Sequence, residues 1–353
     1  MGGSFIDLRS DTITIPTRDM LERVPPSVLG DSLRDEDPTV NLLQDRSAGL
    51  FGKEAGLLLI SGTMANQVAI NAWCERGAVV IAMENSHIAR KEAVSASVIS
   101  GCSIYPMREV GGFLDPGRLR ACLESPDDLL GGTAGLVTIE NSVNAAGGTI
   151  YPLEKMEEVY AICREFGVPL HIDGSRIFNA LVAGGRDPGE AGACCDSLTY
   201  CLSKGLGAPL GSVLTGPEGF IERAKESRNL MGGGMRQAGV IAACGLYALE
   251  ENIDRLKDDH ESARAFARIL GESGHIHVLN DPVQTNIVLF SLKDASQTAL
   301  LREKLDGEGV LIDYRRAPVL RAVTNLNHAR EEVERAAKIL SSMAARLGDG
   351  PSP

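Results

Sequence analysis

Little in this sequence would take it to a membrane or to a nucleic acid. No apolar run reaches the roughly 18 residues that a membrane-spanning helix needs. The first ten residues carry Asp7 and Arg9 where a signal segment would have an apolar core. Lysine and arginine total 35 against 47 aspartate and glutamate, a formal charge of -12 and a sequence pI near 5.1. That balance argues against general attraction to nucleic acid or anionic lipid, so any phosphate must be held by a local site. The eight cysteines form no C-x-x-C pair and sit mostly in apolar surroundings such as A-A-C-G-L. They read as small core residues of a reducing compartment, so a cytoplasmic protein without a metal site is expected. No internal repeat and no low-complexity linker divides the chain.

With 353 residues, 44% of them hydrophobic and 23% charged, the chain can bury a large core and has the length for two domains. Apolar runs at Gly56–Ile60, Val79–Met83, Gly135–Ile139, Val168–Ile172, Ser197–Leu202 and Ser212–Thr215 read as buried strands. Helical spacing lies between them, at Asn66–Glu75, Leu153–Phe166 and Gly219–Ser227. Strand, helix, strand in repetition predicts an α/β domain with a mostly parallel sheet. From about Arg236 the texture changes to a long helical run through Gly239–Asp259 and on to Gly271. Strand candidates Ile276–Leu279 and Ile287–Leu292, a helix Gln297–Glu308, a strand Val310–Asp313 and a terminal helix Ala329–Leu347 follow. The expected organisation is an N-terminal arm over 1–20, a large α/β domain over 21–250, a smaller C-terminal α+β domain over 251–348 and a disordered tail over 349–353.

The chain is organised around Asp196 to Leu214, where a run of β-formers delivers Lys204 into a bend containing Gly205, Gly207 and Gly211. A strand-end lysine with apolar neighbours is poorly hydrated, which suits Schiff-base chemistry; a lysine snorkelling from a strand end is the competing reading. Four other stretches weigh on that choice. Ser61 to Asn66, S-G-T-M-A-N, is a strand end followed by a helix start, either a phosphate cradle or a plain Ser/Thr cap. Asp173 closes the apolar strand in V-P-L-H-I-D-G-S-R, and a buried acid there calls for a cationic partner such as a protonated pyridine nitrogen; it could instead cap the next helix or pair with Arg176. His171 in the same strand reads as a core histidine. His87, just past Val79–Met83, faces the crevice at the carboxyl end of an α/β sheet, where an imidazole can stack on a flat cofactor, unless it is a loop histidine without a role. Three glycines, Gly232 to Gly234, followed by Arg236 mark either a close backbone approach or a hinge. Phosphate cradle, buried acid, stacking histidine and lysine together meet the requirements of pyridoxal 5'-phosphate.

At this point the sequence resembles the threonine aldolase family, pyridoxal-phosphate enzymes of the aspartate aminotransferase-like fold (fold type I). The resemblance is carried by L-R-S-D-T (Leu8 to Thr12), D-P-T-V-N-L-L-Q (Asp37 to Gln44), S-G-T-M-A-N, H-I-D-G-S-R-I-F-N-A (His171 to Ala180), C-L-S-K-G-L-G-A-P-L-G-S (Cys201 to Ser212), G-G-G-M-R-Q-A-G (Gly232 to Gly239) and R-A-V-T-N-L (Arg321 to Leu326). It implies that Lys204 bonds to the cofactor, Asp173 meets the pyridine nitrogen, His87 stacks on the ring, and Gly62, Thr63 and Met64 hold the phosphate. It also implies that Ser10, Arg176 and Arg321 bind the substrate carboxylate. Arg236 would reach the phosphate of a neighbouring subunit, so a dimer or tetramer with shared active sites is expected.

Three positions depart from the family pattern. Val143 stands where E-N-T-H-N would place a histidine, Arg34 replaces a tyrosine in the stretch before D-P-T, and Asn229 replaces the lysine before M-x-G-G-G, with Arg228 adjacent. The resemblance therefore implies retro-aldol cleavage of β-hydroxy-α-amino acids of the threonine type to glycine and an aldehyde. The loss of the histidine at Val143 leaves open the alternative of an alanine racemase, or other chemistry at the Cα–H bond, on the same scaffold.

Overall fold

The computed structural model describes residues 5–24, 29–125, 127, 129, 131–316 and 318–348; the expected tail over 349–353 lies outside them. In chain order the strands are β1 (Ile6–Asp7), β2 (Ala55–Leu59), β3 (Val79–Met83), β4 (Ser103–Met107), β5 (Ala134–Glu140), β6 (Leu170–Asp173), β7 (Ser197–Cys201), β8 (Ser212–Gly216), β9 (Ile276–Val278), β10 (Ile287–Leu292), β11 (Val310–Leu311), β12 (Asp313–Arg316) and β13 (Val319–Val323). β2 to β8 make one sheet in the order β2-β8-β7-β6-β5-β3-β4. The neighbours from β7 through β6, β5 and β3 to β4 pair in parallel, and β8 runs antiparallel to both β7 and β2. Because β8 is the one reversed strand, the carboxyl ends of β2, β3, β5, β6 and β7 all lie along one edge of the sheet. The loops after those five strands are brought together there, as expected for the ligand crevice of an α/β sheet.

Strands β3, β6, β7 and β8 are buried along their whole length, as expected of a sheet covered on both faces; β3, V-V-I-A-M, is also apolar throughout. β4 escapes the sequence pattern, and its composition explains why: it is the edge strand, part exposed, and contains Pro106, which cannot donate to a ladder. The helix Pro38–Leu50, also unforeseen, starts on a strong cap. Asp37, fully buried, accepts the N–H groups of Thr39 (3.1 Å) and Val40 (3.2 Å) on one oxygen and that of Gly239 (2.9 Å) on the other.

A second core forms around the antiparallel sheet β12-β13-β10-β9 and the helices Leu256–Glu272 and Arg330–Gly348. The start of the described chain belongs to it: Ile6 and Leu8 are buried there, and β1 pairs in parallel with β11. The helical run expected from Gly239 onward is divided into Gly239–Tyr247, a π-helical turn Ala248–Asn252, and Leu256–Glu272. The strand expected over Val310–Asp313 is likewise split between β11, which holds the N-terminal segment, and β12, which joins the small sheet. Among the described residues no helix is long and apolar enough to cross a membrane.

Replacing Asp37 with alanine removes the cap and also strands the Gly239 N–H. The two losses, roughly 1 kcal/mol for the cap and about 1–3 kcal/mol for a buried donor, should lower stability by about 2–4 kcal/mol in urea melts. A change under about 0.5 kcal/mol, typical of an ordinary surface site, would contradict this account of the cap.

Candidate active site

The crevice is built from the ends of β5, β6 and β7. Asp173 ends β6, 1% exposed, and Glu140 ends β5, 4% exposed, paired with it in register. Two carboxylates this close and this dry cannot both ionise easily. Their hydrogen bonds separate them. Asp173 accepts from Ser175 on Oδ1, through the backbone N–H (3.1 Å) and the hydroxyl (2.7 Å), and from the Asn66 amide on Oδ2 (3.0 Å). Burial would raise its pKa, but the Lys204 ammonium, the Ser175 bonds, His87 and Asn66 together hold it below the usual value. Glu140 is pushed up to about 7 by burial and by the Asp173 charge, against the N–H bonds it accepts from His87 (2.7 Å) and Asn144 (2.8 Å). Asp173 is thus the ionised member and Glu140 the one that holds a proton most readily. Sequence reasoning missed Glu140. A strand-end acid resembling Asp173 was visible, but its place beside Asp173 follows from the sheet order.

Asp173 does not pair with Arg176. Arg176 lies 2.7 and 2.6 Å from the two oxygens of Asp11, a fully buried carboxylate. Burial would raise Asp11; Arg176, Lys204 and Asn286 bring it down to about 2. Lys204 sits in the bend after β7, part buried, its carbonyl accepting from the Thr14 hydroxyl (2.9 Å) and the Gly207 N–H (2.9 Å). Gly207 (φ +75) and Gly211 (φ +111) occupy the left-handed region that this bend requires.

At the start of the helix Gly62–Trp73, Ser61 is the N-cap, its hydroxyl accepting the Met64 N–H at 3.2 Å. The capping reading therefore holds for Ser61. The N–H groups of Gly62 and Thr63 stay without a protein hydrogen bond among the described residues, as at other anion-binding helix starts. A Cβ on Gly62 would lie 2.8 Å from Cys201 Sγ, so a larger residue would fill the cradle at the end of β7. The three-glycine loop comes close to the same place. A Cβ on Gly233 would meet Met64 Sδ at 2.5 Å and Arg228 Cγ at 3.1 Å, while Arg228 is 6% exposed with its Nε unpartnered. Arg236 is exposed and pairs with Asp31 at 3.0 Å.

His87 is half exposed at the mouth, with its pKa raised by Glu92 and further by Asp173 against partial burial. Arg321 comes from β13, 6% exposed. It donates to Asn144 Oδ1 (2.9 Å) and to the Arg9 carbonyl (3.0 Å), and pairs with Asp313 (2.9 Å). Burial and the neighbouring cations Arg315 and Arg176 lower it to about 10, and its Nε has no partner. Ser10 lies on the same N-terminal stretch, its hydroxyl accepting from Thr12. Two buried guanidiniums that repel each other, one with an unpartnered nitrogen, suit an added carboxylate. His171 is fully buried with Nδ1 2.9 Å from the Ser197 hydroxyl; burial takes its pKa to about 4, and it does not reach the crevice as a ligand. Val143 is also fully buried and packs in the main core. All the candidate residues except Arg236, which lies on the loop beside Met64 and faces outward, gather at this one edge.

These residues fit pyridoxal phosphate on the structure's own terms: an ionised buried acid, a lysine beside it, and a glycine-walled helix start with free N–H groups. The beta-eliminating lyase family profile matches residues 7–295. The chain is 41% identical to the low specificity L-threonine aldolase of Escherichia coli K12 over 342 residues, 97% of this chain and 100% of that one. It is 38% identical to low-specificity L-threonine aldolase 1 of Arabidopsis thaliana over 314 residues, 87% of each. A solved structure of Leishmania major threonine aldolase superposes with a TM-score of 0.80 at 16% identity, over 96% of this chain and 99% of that one. The fold is the expected fold type I arrangement.

Glu140 supplies a pH test. Its folded pKa, about 7, lies above the ordinary 4.5, so the folded form holds the proton longer and stability declines as pH rises between those values. Glu140→Gln cannot ionise and escapes that loss. In urea melts of the cofactor-free protein, the wild type should lose on the order of 2 kcal/mol relative to Glu140→Gln between about pH 5 and 8. A pH-independent difference would contradict the buried-pair electrostatics.

Proposed function

The chain belongs to the beta-eliminating lyase family and, within it, to the threonine aldolases, pyridoxal-phosphate-dependent lyases; on that premise we propose that it cleaves β-hydroxy-α-amino acids of the threonine type to glycine and an aldehyde. The observation that carries the reading is the ionised, buried Asp173 beside Lys204 at the carboxyl edge of the sheet. Lys204 Nζ would bond to the cofactor aldehyde, Asp173 would meet the pyridine nitrogen, and the His87 imidazole would stack on the ring. Gly62 and Thr63 would give their N–H groups to the phosphate, with Met64 closing the first turn. Ser10, Arg176 and Arg321 would take the substrate carboxylate. When bound, the cofactor would supply an electron sink for the bonds at Cα, so that loss of the β-hydroxyl proton lets the Cα–Cβ bond break, releasing an aldehyde and, once Cα takes up a proton, glycine.

A base for that proton must stand at the mouth of the crevice. His87 is the available group, directly or through an ordered water, while Val143 has no proton to handle and lies in the core. No specific observation favours the racemase alternative, and none of the relatives compared is a racemase by name. Arg236 is exposed in one chain, and we assign it to the phosphate of an adjoining subunit in a dimer or tetramer.

The reading is tested with purified protein, pyridoxal phosphate, L-threonine and L-allo-threonine. Glycine and acetaldehyde should appear in equal amounts, from an assembly that light scattering finds at least dimeric. Lys204→Ala should stay folded, lose the visible absorbance of the lysine-bound cofactor, and lose at least about 10³-fold in turnover, as removal of a covalent catalytic group does. Exchange of the Cα hydrogen of L-alanine without any threonine cleavage would overturn the proposal, and a fully active monomer would remove the role given to Arg236.

A further inference from the structure

Between β3 and the helical segment that follows it, the chain reads H-I-A-R-K-E, with His87 at the crevice and Glu92 five positions later. Residues five apart lie about 140° from one another around a regular α-helix, on different faces. This segment is not regular: Ile88–Glu92 is a π-helical turn that begins directly after His87. Such wide turns recur at functional sites. Here the result is that Glu92 Oε1 lies 3.2 Å from His87 Nε2.

The two side chains differ in freedom. Glu92 is 1% exposed, and its Oε2 is fixed by the amide of the equally buried Gln67 at 3.1 Å. Its Oε1 has no aligned hydrogen bond among the described residues, a costly state for a buried carboxylate. The His87 side chain is 44% exposed, so the ring is the part that can turn to complete the contact. The charged groups facing His87 from the other packed elements are Asp173 at the end of β6 and Lys204 after β7, with opposite effects on the ring, while Glu140 of β5 holds its backbone N–H.

We propose that Glu92 is the positioning residue for His87: it holds the proton of the neutral ring on Nε2, leaves Nδ1 as the nitrogen that meets the substrate hydroxyl, and stabilises the imidazolium that forms there. The proposal rests on the aldolase reading for its chemical step. In that step the β-hydroxyl O–H bond breaks and its proton passes to Nδ1, the freed electron pair forms the second bond of the aldehyde carbonyl, and the Cα–Cβ bond breaks, its pair going to the electron sink that the bound cofactor would supply until a proton added at Cα completes glycine. Glu92 touches neither substrate nor cofactor. A carboxylate behind a histidine sets tautomer and basicity in this way in other enzymes.

Glu92→Gln keeps the shape and removes the charge. Because Gln67 donates to one oxygen, the new amide would present its NH₂ to Nε2 and force the opposite tautomer. In ¹⁵N-histidine NMR, wild-type His87 should titrate above its ordinary 6.5 and, when neutral, carry its proton on Nε2. In Glu92→Gln the midpoint should fall and the tautomer reverse. Threonine turnover should drop 10-fold or more with the cofactor still bound, KM little changed, and the acid limb of the pH–rate profile moved to lower pH. An unchanged midpoint and tautomer would overturn the proposal, as would unchanged turnover in a variant whose tautomer had reversed. If the variant does not accumulate, the wild-type spectrum decides, since a neutral His87 with its proton on Nδ1 contradicts the proposal outright. Failure of the wild type to cleave threonine would sink the aldolase reading, and the NMR result would still decide whether Glu92 holds His87.

Discussion

Two acids stand side by side at the carboxyl edge of the large sheet, and everything around them answers the need to keep one charged and the other quiet. Asp173 holds its charge through Ser175, Asn66 and the nearness of Lys204 and His87. Glu140, a strand away, has its pKa raised by burial and by that charge, and serves as a backbone anchor. One of its oxygens holds the N–H of His87 and the other the N–H of Asn144, whose side chain in turn orients Arg321. A single buried carboxyl thereby ties the His87 side of the crevice to the Arg321 side.

The N-terminal segment makes the second tie. Leu8 packs in the small-sheet core, the Arg9 carbonyl accepts from Arg321, Asp11 binds Arg176, and the Thr14 hydroxyl holds the Lys204 carbonyl. Seven residues, 8 to 14, therefore link both sheets to both guanidiniums and to the lysine. A buried ion pair such as Asp11–Arg176 adds little net stability against desolvation, and a substitution breaking it would be costly. Its value here is geometric: it fixes the orientation of the Arg176 guanidinium.

The parts of this site that the sequence makes readable are those governed by local pattern. Asp173 and Lys204 end apolar runs, and a strand-end position already says which edge of the sheet they occupy. The strands of the large sheet could be read for the same reason, whereas β4 was hidden by Pro106 and its exposed residues, and β12 by its polar D-Y-R-R. What could not be read depends on contacts between distant segments. The pairing of Asp11 with Arg176 spans 165 positions, and the adjacency of Glu140 to Asp173 follows from the order of β5 and β6. Glu92 was invisible for a different reason: α-helical spacing would have turned it away from His87, and the π turn reverses that expectation. Val143 drew attention as a departure from the family pattern, yet it is fully buried and packs in the main core.

An Asp173 that stays ionised can hold a proton on the ring nitrogen of a bound cofactor. The direct measurement is ¹⁵N NMR of the protein loaded with pyridoxal phosphate labelled at the ring nitrogen, followed from about pH 6 to 9 in wild type and Asp173→Asn. The nitrogen should be protonated throughout that range in the wild type and unprotonated in the variant. An unprotonated ring nitrogen in the wild type at neutral pH would contradict it.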